Sequence, residues 1–169
     1  MKKILSFLFV SAFLLLTLSQ AFPDDQSPLK IVVVKHEYKL YVYKGTDLVK
    51  EYQVAIGKNP GDKVRFGDKR TPEGNFYIVQ IQKASSWTHD FGDGKGEIKG
   101  AYGPWFLRLY TGKDATKSGK KWIGIGIHGT HDNSSIGTMA SEGCIRLHNS
   151  DIEELKDLVA VKTPVEIQP

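Results

Sequence analysis

Cysteine is nearly missing from this 169-residue chain: Cys144 stands alone. One thiol cannot close an internal disulfide. That leaves a bond to another chain, an inert buried side chain, or a reactive thiol. Cys-Cys pairs and the helical His-Glu-x-x-His spacing are also missing, and those are the stronger signals of a zinc site. No Lys/Arg cluster with interleaved aromatics occurs. The 23 basic and 19 acidic side chains are scattered, which argues against the concentrated basic surface of a nucleic-acid binder. There is no internal repeat and no low-complexity tract. No apolar run reaches the ~20 residues of a spanning helix.

Hydrophobic residues make up 40% of the chain and charged residues 25%, the composition of a globular unit with a real core. The length suits one folded domain. The N-terminus reads differently. Lys2 and Lys3 precede an apolar stretch over residues 4–18, broken only by Ser6, Ser11 and Thr17, and Ser19-Gln20-Ala21 follows. This basic, apolar, small-residue order is that of a secretory signal peptide. Residues 1–21 are therefore expected to be removed on export to the periplasm or cell-wall space, leaving no integral membrane span. An uncleaved anchor is the alternative. No cysteine lies near the cleavage point, which excludes a lipoprotein. The mature chain, with two lysines fewer, carries about +2. Residues 22–29 read as a short linker and residues 30–169 as the folded domain, expected to be a monomer.

Within that domain residues 30–35 hold the branched run Ile31-Val32-Val33-Val34, a buried strand. Residues 39–43 alternate, with Leu40 and Val42 on one face and Tyr41 and Tyr43 on the other. Residues 44–47 form a turn, and strand character resumes over 48–56, giving a β-hairpin. Residues 57–74 are rich in Gly, Pro, Lys and Asp, and Asn59-Pro60-Gly61-Asp62 and Thr71-Pro72-Glu73-Gly74 suit tight turns. Further strands are expected at 76–81, 105–110 and 122–127. The stretch 84–103 reads as one long Gly-rich loop. One helix is clear. Ser150 as N-cap and Glu153 have capping-box spacing, and Ile152, Leu155 and Val159 share a face. Pro164 ends it, and Val165-Glu166-Ile167 reads as a last strand. Many short strands with one helix near the C-terminus predict a mainly β fold, sandwich-like or barrel-like.

The chemistry concentrates in Ile127-His128-Gly129-Thr130 and Ser141-Glu142-Gly143-Cys144-Ile145-Arg146-Leu147-His148-Asn149. A thiol attacks as thiolate, so a cysteine nucleophile needs a His within reach and a group to orient that His. His128 ends a predicted strand, and Cys144 follows a Gly-containing turn after an interval long enough to loop out and return. Two such strand ends can lie side by side in one sheet. Gly143 lets a substrate approach the main chain, where N–H groups near Cys144 would face an oxyanion.

His128-Gly129 followed by Ser141-x-Gly143-Cys144-x-Arg146 closely resembles the signature of the L,D-transpeptidase catalytic domain, the YkuD-like family. The likeness extends to Lys39-Leu40-Tyr41-Val42-Tyr43, the Gly57 turn and Thr71-Pro72-Glu73-Gly74, and so spans roughly residues 29–168. The resemblance implies the catalytic fold of that family for residues 30–169 and peptidoglycan stem peptides as substrate. In the implied reaction Cys144 attacks the carbonyl after the third stem residue and forms a thioester, and an amine of a second stem resolves it into a cross-link. It further implies His128 as general base and then acid, oriented by the Gly129 carbonyl, with no metal or organic cofactor. One position departs from the pattern. Where the family often has His before the Gly of this turn, the chain has Glu142.

Other readings stay open on the residues alone. His128, His131, Cys144 and His148 are N and S groups of the kind zinc takes. The domain could bind the wall without catalysis. Water in place of the amine would give a carboxypeptidase or a hydrolase of cross-links. Arg146 either holds a substrate carboxylate, whose shape its guanidinium matches, or sits in a structural ion pair. Ser141 shapes the turn rather than reacting. Glu142, Gly143, Ser141 and Arg146 are thus the candidates for oxyanion and substrate contacts. Trp87, His89, Tyr102 and Trp105 either line a groove or pack as aromatic core. His36 and His148 are ordinary surface or packing histidines, and His131 borders the site.

Overall fold

A computed structural model describes residues 28–169. The proposed signal segment 1–21 and linker residues 22–27 lie outside the described residues. Chain order is β1 (Leu29–Val34), β2 (Lys39–Lys44), β3 (Asp47–Gln53), β4 (Ile56–Gly57), β5 (Gly74–Lys83), β6 (Thr88–Asp90), β7 (Glu97–Lys99), β8 (Trp105–Leu109), β9 (Gly126–His128), β10 (Met139–Ser141), β11 (Ile145–Arg146), α1 (Asn149–Leu158) and β12 (Pro164–Gln168). The mainly β expectation holds, with one α-helix near the C-terminus. Eight strands form a curled sheet in the order β11-β9-β8-β5-β12-β1-β2-β3. Among the described residues no helix is long and apolar enough to cross a membrane.

Alternation builds the core. Ile31 and Val33 of β1 and Leu40 and Val42 of β2 are fully buried, while Tyr41 and Tyr43 are half-buried on the other face. Ile78, Leu107, Ile127 and Ile145 continue the apolar layer across the sheet. Ile152 and Leu155 of α1 join the same core. Each such side chain stabilises the fold by roughly 1.5–3 kcal/mol through burial.

Four local expectations change. The 84–103 loop contains the small antiparallel hairpin β6–β7. The strand expected over 122–127 is confined to Gly126–His128, because Gly124 takes φ +76° and breaks the extended run. The capping box is not made. His148 is the N-cap residue, and Ser150 Oγ inside the helix donates to the Asp151 carboxylate. Pro164 opens β12; the helix has already stopped at Leu158.

The edge made by β8, β9 and β11 positions the site. β9 pairs antiparallel with β8 and parallel with β11, with Ile127 beside Ile145 and His128 beside Arg146. Strand side chains alternate faces. Ile127 and Ile145 therefore point together into the core, and His128, Cys144 and Arg146 share the opposite face.

Candidate active site

That face forms one wall of a cleft of about 300 Å³, lined among others by Cys144, His128, Arg146, Glu142 and Ser141. The turn from β10 to β11 is held from within. Ser141 Oγ donates to the Cys144 carbonyl at 2.5 Å and accepts from the Gly143 N–H at 3.1 Å. Gly143 has φ +133°, and a Cβ there would lie 2.8 Å from the Arg70 carbonyl oxygen. Only glycine fits without strain. The Gly143 N–H is thus engaged within the turn.

His128 is 2% exposed. Its Nδ1 lies 2.6 Å from the Gly129 carbonyl oxygen. A carbonyl only accepts, so Nδ1 carries the proton and Nε2 keeps its lone pair. Burial pushes the imidazole down to about 3, against the opposing pull of the Gly129 carbonyl, and the Arg146 charge adds to the fall. Gly129 is itself confined, since a Cβ would meet Asn149 Oδ1 at 2.4 Å. The same Asn149 oxygen accepts the Thr130 N–H at 2.9 Å and so fixes the backbone after His128.

Cys144 is partly exposed and its thiol donates to the Gly124 carbonyl at 3.2 Å. Burial of the sulfur pushes the thiol up, while the Gly126 N–H and the Arg146 charge pull it down. Both shifts favour uncharged forms. The resting site holds a neutral thiol and a neutral imidazole on neighbouring strands.

Arg146 is 6% exposed, and its guanidinium sits 5.2 Å from the Phe91 ring centroid. Its Nε is buried without a hydrogen-bond partner. Among the described residues no carboxylate lies within ion-pair distance of it, so the structural ion pair is absent. Glu142 instead reaches across the cleft. Its carboxylate meets His89 Nε2 at 3.1 Å and Lys69 Nζ at 3.4 Å.

Two segments complete the walls. The loop before β5 is organised by Asp68, which accepts from Lys63 Nζ at 2.7 Å and from the N–H groups of Val64, Arg65 and Arg70. Burial opposes the Asp68 charge, but these donors hold its carboxyl well below the usual range. Phe66 and Ile123, 66% and 70% exposed, give the cleft an apolar rim. The β6–β7 hairpin brings His89 and Phe91. Tyr102, just after it, packs edge-on to His128 with centroids 5.0 Å apart. Trp87 packs on Tyr102 and Phe106, and Trp105 packs against the core.

Of the zinc-type residues, His131 stacks on Phe91 and His148 turns towards Asn133. Among the described residues no group of three or more His, Cys, Asp or Glu side chains is placed to hold a metal ion. Sequence reasoning gave no role to Gly124, Lys69, Phe91 or Asn149, and of these only Asn149 lay within the stretch it singled out.

A mainly β half-barrel that presents Cys, His and Arg on one face of its edge strands is the scaffold of a thiol-dependent acyl-transfer site. The L,D-transpeptidase catalytic domain profile, the YkuD family, matches residues 28–167, and the chain belongs to this family. A Bacillus licheniformis protein named as a putative L,D-transpeptidase YkuD is 34% identical over 145 residues, covering 86% of this chain and 68% of that one. An L,D-transpeptidase from Mycobacterium smegmatis shares the fold at TM-score 0.59 and 17% identity, over 83% of this chain and 58% of that chain. The catalytic domain of the Enterococcus faecium L,D-transpeptidase superposes at TM-score 0.55 and 22% identity, over 84% of this chain and 98% of that domain. The chain spans about half the length of several solved chains that it matches.

Proposed function

We propose that this chain is an exported peptidoglycan L,D-transpeptidase that works through a Cys144 thioester. The observation that carries the reading is the shared face of β9 and β11, which brings Cys144, His128 and Arg146 into one cleft. With Nδ1–H bonded to Gly129, the lone pair of His128 Nε2 is the base. The thiol leaves the Gly124 carbonyl, and its proton passes to Nε2 as the sulfur attacks the carbonyl after the third stem residue. Charge separation from a neutral pair is unfavourable at rest, so proton transfer is coupled to attack. Imidazolium then protonates the departing amine and D-alanine leaves. An amine of a second stem attacks the thioester and gives its proton to His128. Thiolate leaves and recovers a proton from the imidazolium, giving the cross-link. Arg146 holds a substrate carboxylate, for which an unpaired, desolvated guanidinium is suited. Ser141 and Gly143 hold the nucleophile's turn.

Residues 1–21 direct export to the periplasm or cell-wall space, residues 22–28 link, and residues 29–169, from the first residue of β1 on, act as a monomeric catalytic domain. Water replaces the amine in a hydrolytic side reaction. Mass spectrometry of products from a disaccharide-tetrapeptide tests the whole reading: dimers are expected, and trimming alone would make the chain a carboxypeptidase. A carbapenem, a strained-ring acyl donor, is expected to add once to the wild type and not to a folded Cys144→Ala variant. An adduct that persists in the variant, or cross-linking without Cys144, refutes the mechanism.

A further inference from the structure

The transfer step needs an amine in its free-base form. An alkylammonium has a pKa of about 10.4, so at neutral pH fewer than about one in a thousand is free base. His128 is poorly suited to take that first proton. It is sealed at 2% exposure, already serves the thiol, and burial sets it against holding charge.

The same cleft holds a second imidazole. His89, on β6, is partly exposed and makes one side-chain hydrogen bond among the described residues, to Glu142. A carboxylate only accepts, so Nε2 donates, and in the neutral ring Nδ1 keeps its lone pair. Glu142 is ionised: burial opposes its charge, but His89 and Lys69 hold its carboxyl below the usual range. The groups facing His89 are Glu142, Tyr102 with centroids 5.7 Å apart, and Phe91 at 4.5 Å, with Arg146 on Phe91 and Lys69 on Glu142. Its own strand adds Asp90.

Resting on the transpeptidase reading, we propose that His89 and Glu142 form the acceptor side of the site: Glu142 attracts and orients an incoming ammonium, and His89 Nδ1 removes its first proton. The ammonium loses one N–H bond to His89, which becomes imidazolium beside the carboxylate and returns the proton to water. The resulting amine attacks the thioester carbonyl, and its second proton goes to His128 as the C–S bond breaks. His89 is the catalytic group here and Glu142 a positioning group. Water, which brings no cation, gains nothing from the carboxylate. The pair therefore favours aminolysis over hydrolysis.

The test separates the two half-reactions in the mature protein. Acyl-enzyme formation from a disaccharide-tetrapeptide is followed by quenched mass spectrometry, and transfer is followed with a second tetrapeptide stem as acceptor. In His89→Gln, whose amide can still donate to Glu142, the ratio of transfer to acylation falls about tenfold or more near neutral pH. It recovers as the pH approaches the amine's own pKa, and the hydrolysed fraction rises. Glu142→Gln shows the same ratio change with a raised KM for acceptor. Equal loss of both half-reactions would assign the pair a purely structural part in holding the hairpin and overturn the proposal, as would unchanged transfer. A pH profile of the wild type gives a reading that does not depend on variants folding. Transfer must show an ionisation that acylation lacks, and its absence refutes the acceptor base. A wild type that never acylates at Cys144 is a separate result and removes the transpeptidase reading itself.

Discussion

Taking the protein from about pH 7.5 to about pH 5 weakens the fold through His128, and His128→Gln removes that loss. The imidazole is held at about 3 in the fold against an ordinary 6.5. Between those values the unfolded chain binds a proton that the native chain refuses, so stability rises with pH in this window. It is lost as pH falls below about 6.5, at ~1.4 kcal/mol per unit. The step to about pH 5 therefore removes about 2 kcal/mol. The carboxylates Asp68 and Glu73 are held low despite burial, by lysine and, for Asp68, backbone partners. Their contribution is lost only in more acid solution. Urea unfolding of wild type and His128→Gln at the two pH values gives the difference of differences, in which the other histidines cancel. Equal acid loss in both proteins would refute the reasoning. It would mean that His128 is protonated in the native state beside a Cys144 thiolate, and thiolate absorbance would then appear in the resting protein.

Two further outcomes follow from the turn and the cleft. Gly143→Ala forces a side chain into φ +133° and a 2.8 Å approach to the Arg70 carbonyl; about 1–3 kcal/mol of strain is expected as a lowered melting temperature, together with slower carbapenem acylation, and an unchanged melt would show that the turn is slack. Arg146→Met removes a buried guanidinium that pairs with no carboxylate among the described residues, so urea unfolding should show stability kept or raised. KM for a tetrapeptide donor should rise about tenfold to a hundredfold for the lost charged hydrogen bonds; an unaltered KM would remove the carboxylate assignment.

Much of this architecture was written in local patterns. The alternation of Leu40 and Val42 against Tyr41 and Tyr43 specified a strand with one buried face. The spacing of Ile152 and Leu155 specified the helix face, although Val159, expected on it, is the extended C-cap just past the helix end, and the His128 and Ser141-to-Arg146 motifs marked the cleft. These signals are legible because backbone periodicity and turn chemistry act over a few residues. The strand end at Gly126, the β6–β7 hairpin and the true helix cap were not legible. Asn149 shows why: its side chain, next to a plausible N-cap serine, is taken by Thr130, 19 residues earlier. The neutral state of the Cys144–His128 pair, the burial of Arg146 with no carboxylate partner among the described residues and the meeting of Glu142 with His89, 53 residues away, were decided by tertiary structure. Each depends on what burial removes from water and on which distant segment packs opposite. No local pattern records either, because desolvation and charge pairing belong to the assembled fold.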